Sequence, residues 1–368
     1  MLAVSEKDLT KLLHSLNHTK CCHLLQNLST ALAAFSAQRK TADINIHQPA
    51  RTSIVSEKWS STTLFMPVSD HASTGFKVVT VPKVSTPTNG IRGVINLLSP
   101  EGRLEGVMSA AEITAFRTAL ASMIPFTRFR AGGLSEGGKK KRVLIFGSGK
   151  QAEWHARLAL LTVPNPTDIE GITFVNRSQQ RLEESISSTL VPDLRARYPH
   201  LEINAYSREE LEQQQQEQEE GGEDAYKTRL RADLASSDAI FCCTPSTEPL
   251  FIYDDLTPKR RYISLIGSYK PHMQEVDSKT LLSGNNGLIY VDSVEACMEE
   301  AGELIIAKVD EKQLIELGEL DFSTAGSFEG EGNVVFKCVG MGIMDLVIAR
   351  SLLGMAREQG LGTVVEGF

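Results

Sequence analysis

The chain has 368 residues, of which 41% are hydrophobic and 23% are charged, and its formal net charge is −8. This length is sufficient for two domains that each have a core. The negative balance argues against a general nucleic-acid surface, and no apolar run reaches the roughly 18–20 residues of a membrane span. The first residues lack the basic start and apolar block of a signal peptide, so we expect a cytoplasmic protein.

The six cysteines form two adjacent pairs and two single residues, without any C-x-x-C spacing. They are Cys21, Cys22, Cys242, Cys243, Cys297 and Cys338. This pattern is typical of a reduced cytoplasmic protein rather than of a disulfide framework or a zinc site. We therefore predict no metal.

The first part of the chain predicts an α+β domain. Residues 5–39 carry leucines at helical spacing and predict two helices. Short runs rich in β-branched residues follow, separated by Pro, Gly, Ser and Asn rather than by helices, which predicts hairpins and a mainly antiparallel sheet. The predicted strands are Thr52–Val55, Thr62–Val68, Phe76–Val81 and Gly93–Leu98. A helix over 113–123 then precedes a glycine-rich stretch, residues 131–138, which predicts a linker.

Residues 142–178 read RVLIFGSGKQAEWHARLALLTVPNPTDIEGITFVNRS and predict a βαβ unit. Val143–Phe146 is a continuous apolar run, typical of a strand buried on both faces, and Ile172–Val175 is the next strand. The turn Gly147–Gly149 and Ala152 match the G-x-G-x-x-G/A fingerprint. Amides at the start of such a helix bind a pyrophosphate. We therefore predict a dinucleotide site.

The end of the second strand indicates which dinucleotide binds. An NAD site has an acidic residue there for the ribose hydroxyl, whereas this chain has Asn176, Arg177 and Ser178. A guanidinium and a hydroxyl suit a 2′-phosphate, and no carboxylate directly follows the strand to repel it. We therefore expect NADPH, with NADH or NAD as the alternative cofactor.

The rest of the chain predicts a doubly wound sheet, because strands alternate with helical patterns. One segment breaks this alternation: residues 209–224 read EELEQQQQEQEEGGED, with a single apolar residue. We expect it not to order itself and to form a solvated insertion, at about 207–228. The predicted strands lie near 202–205, 239–244, 262–266, 288–291 and 334–339, and a helix over 343–356 follows.

Seven separated stretches make the chain resemble the ornithine cyclodeaminase/μ-crystallin family over most of its length. All occur in the family's order and near its spacing, so they are more specific than the glycine turn alone. They are LFMPVSD (64–70), GFKVVTV (75–81), EITAFRTALAS (112–122), VLIFGSGKQAEWHA (143–156), CCTPSTEPLF (242–251), ISLIGSYKPHMQEVD (263–277) and VFKCVGMGIMDLVIA (335–349).

The resemblance implies an α/β fold with two domains. One is a Rossmann domain with a doubly wound parallel sheet, which we place at 134–319. The other is an α+β domain for substrate binding and dimerisation with a mainly antiparallel sheet, which we place at 1–133 plus 320–368. It also implies a homodimer.

The resemblance further implies that Arg51, Lys77 and Arg117 bind a substrate carboxylate. Three cations at one cleft would bind a carboxylate and lower the pKa of the lysine. The cofactor residues that the fingerprint and the resemblance imply are Thr118, Gly147, Gly149, Lys150, Gln151, Ala152, Asn176, Arg177, Ser178, Thr244, Pro245, Ser246, Gly267, Ser268 and Val339.

One position departs from the family pattern. Cyclodeaminases have an aspartate in a G-x-D-x-P stretch, where this chain has Tyr269 in Gly267–Pro271. A phenol is a poor base at neutral pH, although it donates a hydrogen bond or a proton. The reductase branch of the family also lacks this aspartate and has an asparagine–arginine pair after the second strand. Cys338 stands where the family usually has serine.

We therefore predict an NADPH-dependent reductase of an α-imino acid, such as the cyclic ketimines pyrroline- or piperideine-2-carboxylate, in amino acid metabolism. Lys77 is the predicted proton donor, and Tyr269 the second catalytic residue. The alternatives are an NAD-dependent ornithine cyclodeaminase, which forms proline and ammonia, and a binding protein that uses NADPH to shape its pocket. The expected partners are a small amino or imino acid and a second copy of the chain, without nucleic acid or membrane.

Overall fold

A computed structural model describes residues 1–41, 44–83, 90–131, 141–217, 224–320, 328 and 330–367 of the chain. The chain divides into two compact units: unit 1 contains residues 1–121 and 340–368, and unit 2 contains residues 122–339. The sequence pattern places the domain boundaries at 133/134 and 319/320 instead. Most of the predicted linker, residues 132–138, lies outside the described residues.

The elements have the following bounds. The strands are β1 (Leu2–Val4), β2 (Thr52–Ser56), β3 (Ser61–Ser69), β4 (Thr74–Pro82), β5 (Arg92–Leu98), β6 (Leu104–Ser109), β7 (Lys141–Phe146), β8 (Ile169–Asn176), β9 (Glu202–Ser207), β10 (Ala239–Cys242), β11 (Tyr262–Leu265), β12 (Gly284–Val291), β13 (Leu314–Glu316), β14 (Asn333–Lys337) and β15 (Thr363–Val364).

The helices are α1 (Glu6–His14), α2 (His18–Gln38), α3 (Ala110–Ala131), α4 (Lys150–Leu161), α5 (Gln179–Leu182), α6 (Val191–Arg197), α7 (Arg208–Glu217), α8 (Ala225–Ser236), α9 (Ser278–Leu281), α10 (Val294–Glu300), α11 (Gly302–Ala307) and α12 (Gly342–Glu358). A π-helical segment, Glu183–Leu190, connects α5 to α6. The two helices predicted over 5–39 are α1 and α2, and their leucines Leu9, Leu12 and Leu13 are buried.

In unit 1 the described strands form a sheet in the order β15-β1-β6-β5-β4-β3-β2. Strands β2 to β6 are antiparallel neighbours, which confirms the predicted hairpins. The sequence pattern does not predict β6, β1 or β15. Strands β1 and β15 are short, and their pairing brings the two ends of the chain together, since Leu2 pairs with Val364.

One face of this sheet packs against α12, which crosses β3, β4 and β5. The close approach depends on glycine, because a β-carbon on Gly75 of β4 would lie 2.9 Å from Leu346 Cδ1 of α12. Alternate residues of β4, among them Lys77 and Val79, are buried on this face, whereas Phe76 on the other face is 40% exposed. The sheet therefore has one covered and one open face.

In unit 2 the described strands form an all-parallel sheet in the order β13-β12-β14-β11-β10-β7-β8-β9. The central part, from β9 through β7 to β11, has the strand order of a doubly wound dinucleotide-binding sheet. This confirms the predicted α/β fold. β14 lies inside this sheet between β11 and β12, although the prediction from the family resemblance places residues 320–368 in the other domain.

Part of the polar segment after β9 is ordered. The prediction that it cannot order itself is wrong for residues 208–217, which form α7. Ser207 Oγ accepts a hydrogen bond from the Glu210 amide at 3.0 Å, and Leu211 packs against the core of unit 2. One apolar contact with the core and a capped first turn are thus sufficient for this helix to form. Residues 218–223 lie outside the described residues.

All six cysteines are free thiols. Within the described ranges, no group of three or more His, Cys, Asp or Glu side chains is arranged to hold a metal ion. The same ranges contain no helix that combines the length and the apolar character needed to cross a membrane.

Candidate active site

Lys77 lies in the middle of β4, on the face of the sheet that α12 covers. It stands opposite Met66 of β3, and both side chains are buried. An ammonium group in such a place needs a charged or hydrogen-bonding partner, because burial removes its water.

Asp345, in the first turn of α12, is this partner. Lys77 Nζ donates to Asp345 Oδ2 at 2.5 Å, and Arg117 Nε donates to Asp345 Oδ1 at 3.0 Å. All three side chains are buried. The structure thus joins two of the predicted carboxylate-binding residues through one carboxylate.

The position of Arg117 depends on a glycine. Arg117 extends from α3, and its guanidinium lies against Gly340, just before α12. A β-carbon on Gly340 would be 2.6 Å from Arg117 Nη1, and Gly340 has a φ of +90°, which other residues rarely adopt. This glycine lets the guanidinium approach the backbone closely.

The surroundings lower the pKa of Lys77 to about 8. Burial is the largest cause, and the positive charges of Arg117 and Arg51 act in the same direction, whereas Asp345 raises the pKa. An amine with this pKa exchanges a proton near neutral pH, as a general acid must. Lys77 therefore has the chemistry of a proton donor.

Three cationic side chains act at this cluster. Lys77 and Arg117 both donate to the carboxylate of Asp345, and half-buried Arg51 adds a positive charge that acts on Lys77. Guanidinium groups suit a carboxylate ligand. The role of the three cations in substrate binding stays a prediction.

In unit 2 the glycine turn connects β7 to α4. Gly147 has a φ of +117°, and its amide donates to Val175 O at 2.8 Å. Gly149 precedes α4 without a side-chain cap, and a β-carbon there would meet nothing within 4 Å. Among the described residues, no donor reaches the buried Gln151 Oε1. The turn thus combines an open approach with uncapped amides, which fits the pyrophosphate of a dinucleotide.

The loops after β10 and β11 are held together by Glu275. Its carboxylate accepts from the amide of Thr244 at 3.0 Å and from the amide of Gly267 at 2.7 Å. A β-carbon on Gly267 would lie 2.2 Å from Thr244 O, so only glycine permits this approach. Two predicted cofactor residues, Thr244 and Gly267, are therefore adjacent.

Glu275 also belongs to a buried network of charged and polar groups. Lys337 Nζ lies 3.3 Å from Glu303 Oε2 and donates to Ser268 O at 2.6 Å, and Glu303 also accepts from the Glu275 amide at 2.8 Å. Burial raises the pKa of Glu275 to about 8, and Lys337 opposes this rise. The hydroxyl of Ser268 bonds Lys337 and Glu303. Ser268, a predicted cofactor residue, thus directs its side chain into the network.

At the end of β8, the predicted cofactor residues lie beside one another. Asn176 Nδ2 donates to the backbone oxygen of Ser178 at 2.8 Å, which fixes the turn. Arg177 is exposed. The turn thus presents a guanidinium to solvent at the place where the sequence predicts a 2′-phosphate.

The remaining predicted residues have mixed surroundings. Thr118 is buried in α3 of unit 1, and Ala152 is buried in α4. Lys150 and Pro245 are exposed. Tyr269 is half-buried, and Lys270 Nζ lies 5.6 Å from the centre of its ring. Ser246 Oγ donates to Glu248 O. Near β14, the Val339 amide and Cys338 Sγ both donate to Asp292, at 3.3 and 3.1 Å.

The sequence profile of the ornithine cyclodeaminase/mu-crystallin family matches residues 6–360. The chain belongs to this family. A Δ1-pyrroline-2-carboxylate reductase from Bacillus cereus is 27% identical and is covered over its full length, as is this chain. Ketimine reductase mu-crystallin from Mus musculus is 26% identical, with 89% of this chain and 90% of the relative covered.

A solved structure shows the same fold. The Δ1-pyrroline-2-carboxylate reductase of Thermococcus litoralis, in complex with NADH and L-proline, matches with a TM-score of 0.76 and 23% identity over 99% of this chain and 100% of that chain. The iminosuccinate reductase of Paracoccus denitrificans, in complex with NAD⁺, has a TM-score of 0.74 and 20% identity over 100% and 99%.

Several polar residues at these sites are not predicted from the sequence. They are Asp345, Glu275, Glu303, Lys337 and Asp292. Two of them stand out in the sequence: Asp345 is the one charged residue in the apolar run GIMDLVIA, and Lys337 is the one charged residue in VVFKCVG. A single charge within an apolar run predicts a buried partner, although it does not identify that partner.

Proposed function

We propose that this protein is an NADPH-dependent reductase of α-imino acids, with cyclic ketimines such as pyrroline- or piperideine-2-carboxylate as substrates. The observation that carries the proposal is the buried cluster of Lys77, Asp345 and Arg117, in which one carboxylate joins two predicted substrate-binding cations and the amine has a pKa of about 8. The relatives from Bacillus cereus and Mus musculus, which are named as reductases of this kind, support it.

Arg117, with Arg51, would bind the substrate carboxylate and so orient the imine. Lys77 would donate a proton to the imine nitrogen, because the resulting iminium accepts a hydride far more readily than the neutral imine. NADPH supplies the hydride when it is bound. The imine carbon gains the hydride, the nitrogen keeps the proton, and Lys77 regains a proton from solvent. Tyr269 is proposed as a second hydrogen-bond donor.

Asp345 would act as a positioning residue for Lys77. It fixes Lys77 Nζ by a hydrogen bond and raises its pKa against the effect of burial. Without this carboxylate, the pKa of the buried amine would be lower still, and fewer Lys77 side chains would carry a proton to donate.

The proposed NADPH site uses the glycine turn for the pyrophosphate and the end of β8 for the 2′-phosphate. The uncapped amides before α4 support the first assignment. Exposed Arg177 beside Asn176 and Ser178 supports the second. We also propose a cytoplasmic location, because six free cysteines are typical of a reducing compartment.

The function is tested by supplying Δ1-pyrroline-2-carboxylate and NADPH. We expect NADPH oxidation and proline formation in equal amounts, whereas L-ornithine with NAD should release little ammonia, because Tyr269 replaces the aspartate of the cyclodeaminases. The measurements are NADPH absorbance, proline and ammonia. Ammonia release that rivals imine reduction would favour the cyclodeaminase. Binding of NADPH without turnover of either substrate would favour the binding protein.

We further propose a homodimer formed through the open face of the sheet in unit 1. Phe65, Val78 and Val94 stand opposite one another on adjacent strands of this face, and Val94 is 39% exposed. An apolar face of this kind is typical of an interface. Light scattering should give a mass of about twice 40.3 kDa.

The change Val94→Arg should shift this mass toward the monomer, because it places a charge in the proposed interface. A matched control is Ile306→Arg in unit 2, which also replaces an exposed apolar side chain and should leave the mass unchanged. A monomeric unmutated protein at micromolar concentration is incompatible with the proposal.

A further inference from the structure

A carboxylate lies at the end of β8, although none directly follows this strand in the sequence. β9 runs parallel to β8, and their last residues Ser207 and Asn176 are paired, so the first turn of α7 lies beside the turn after β8. Gln179 N donates to Glu209 Oε2 at 3.0 Å, and Glu209 N donates to Arg177 O at 3.1 Å. Two hydrogen bonds thus fix Glu209 to the segment that contains Arg177.

This carboxylate changes the chemistry of the turn. In dinucleotide-binding sheets, an acidic residue near the end of the second strand accepts the ribose 2′-hydroxyl of NAD, whereas an arginine accommodates the 2′-phosphate of NADP. Here the carboxylate belongs to Glu209, in the first turn of α7 after β9. It accepts the hydrogen bond of the Gln179 amide, which a phosphate oxygen would otherwise accept. A carboxylate at this place accepts from a hydroxyl, which donates, and repels a phosphate, which only accepts.

We infer that Glu209 is a specificity-determining residue that opposes Arg177 in the choice between NADH and NADPH. The inference rests on the proposed dinucleotide site. Arg177 attracts the 2′-phosphate, while Glu209 repels it and competes with it for the Gln179 amide. Glu209 therefore narrows the preference for NADPH and lets the protein accept NADH as well.

The test measures the dissociation constants of NADPH and NADH by fluorescence titration of the full-length protein and its variants. Glu209→Ala is expected to raise the affinity for NADPH relative to NADH by about tenfold, which corresponds to about 1.4 kcal/mol. Glu209→Gln should produce most of this gain, because it removes the charge and keeps the side-chain size. Arg177→Ala should change the ratio in the opposite direction.

Glu212→Gln is the matched control. It removes one negative charge from the same helix, where Glu212 pairs with Arg208, so a general change in net charge would appear in this variant as well. We expect its affinity ratio to equal that of the unmutated protein. Titration with 2′,5′-ADP and 5′-AMP should reproduce the effect of Glu209→Ala, since these fragments differ only in the 2′-phosphate.

An unchanged ratio in Glu209→Ala, with both dinucleotides still bound, would overturn the inference and leave the proposed function intact. The same holds if Glu212→Gln shifts the ratio as much as Glu209→Gln does. Failure of the unmutated protein to bind either dinucleotide would instead overturn the proposed function, and the inference with it.

Discussion

Replacing Lys77 with methionine is expected to lower kcat for imino-acid reduction by about 10²–10⁴-fold, the usual contribution of a positioned general acid. Methionine is similar in length to the buried stem of lysine and packs well in irregular spaces, but it has no proton to donate. Asp345 keeps its hydrogen bond from Arg117, so its carboxylate stays paired. Steady-state kinetics with saturating NADPH measure the effect. Lys83→Met, which removes a surface lysine just after β4, is the control and should retain full activity.

The pH dependence links this effect to Lys77. Because burial, with Arg117 and Arg51, lowers the pKa of Lys77 to about 8, kcat/KM should decline above about that pH as the proton donor is lost. Asp345 raises this pKa, so Asp345→Asn should move the decline to lower pH. A Lys77→Met enzyme with most of its kcat, or a decline that Asp345→Asn does not move, would assign the proton donor to another group.

Most strands and helices could be predicted from the sequence because their signals are local. The buried strands β7, β10 and β11 are short apolar runs next to glycine or polar turns, and such runs identify themselves without reference to the rest of the chain. The strands β1 and β15 could not be predicted, because each is only a few residues long and its pairing depends on the other chain end. The position of β14 between β11 and β12 could not be predicted either, because these strands are separated from it along the chain.

At the candidate sites, the sequence pattern predicts the residues that a family motif contains and does not predict the residues that support them. Lys77 and Arg117 occur in matched stretches, but their joint carboxylate, Asp345, comes from the last long helix. The sequence pattern similarly predicts a solvated insertion at Glu209, because only the pairing of β9 with β8 places this residue beside Arg177. Pairings between distant segments form through tertiary packing, which local patterns do not specify.

Replacing Lys337 with methionine is expected to reduce the free energy of unfolding by about 3–5 kcal/mol, the usual effect of removing one partner of a buried ion pair. Lys337 Nζ lies 3.3 Å from Glu303 and also donates to Ser268 O. Without it, two neighbouring buried carboxylates, Glu275 and Glu303, lose their cation. Burial raises the pKa of Glu275 to about 8 and Lys337 opposes this rise, so the loss of Lys337 raises that pKa further. The loss of stability should therefore grow as the pH rises through about 8, where Glu275 ionises in the unmutated protein but not yet in the variant.

Urea unfolding followed by the fluorescence of Trp154, which is buried in unit 2, measures this loss. Lys279→Met removes an exposed partner of Asp254 and should leave the free energy of unfolding nearly unchanged, because solvent screens this pair. If Lys337→Met does not fold, the double variant with Glu303→Gln should restore folding, because it removes one of the two carboxylates that lack a cation. A loss in Lys337→Met no larger than that in Lys279→Met would show that the buried network contributes little to stability. In that case the close approach of Gly267 to Thr244, rather than the buried charges of the network, would hold these two loops together.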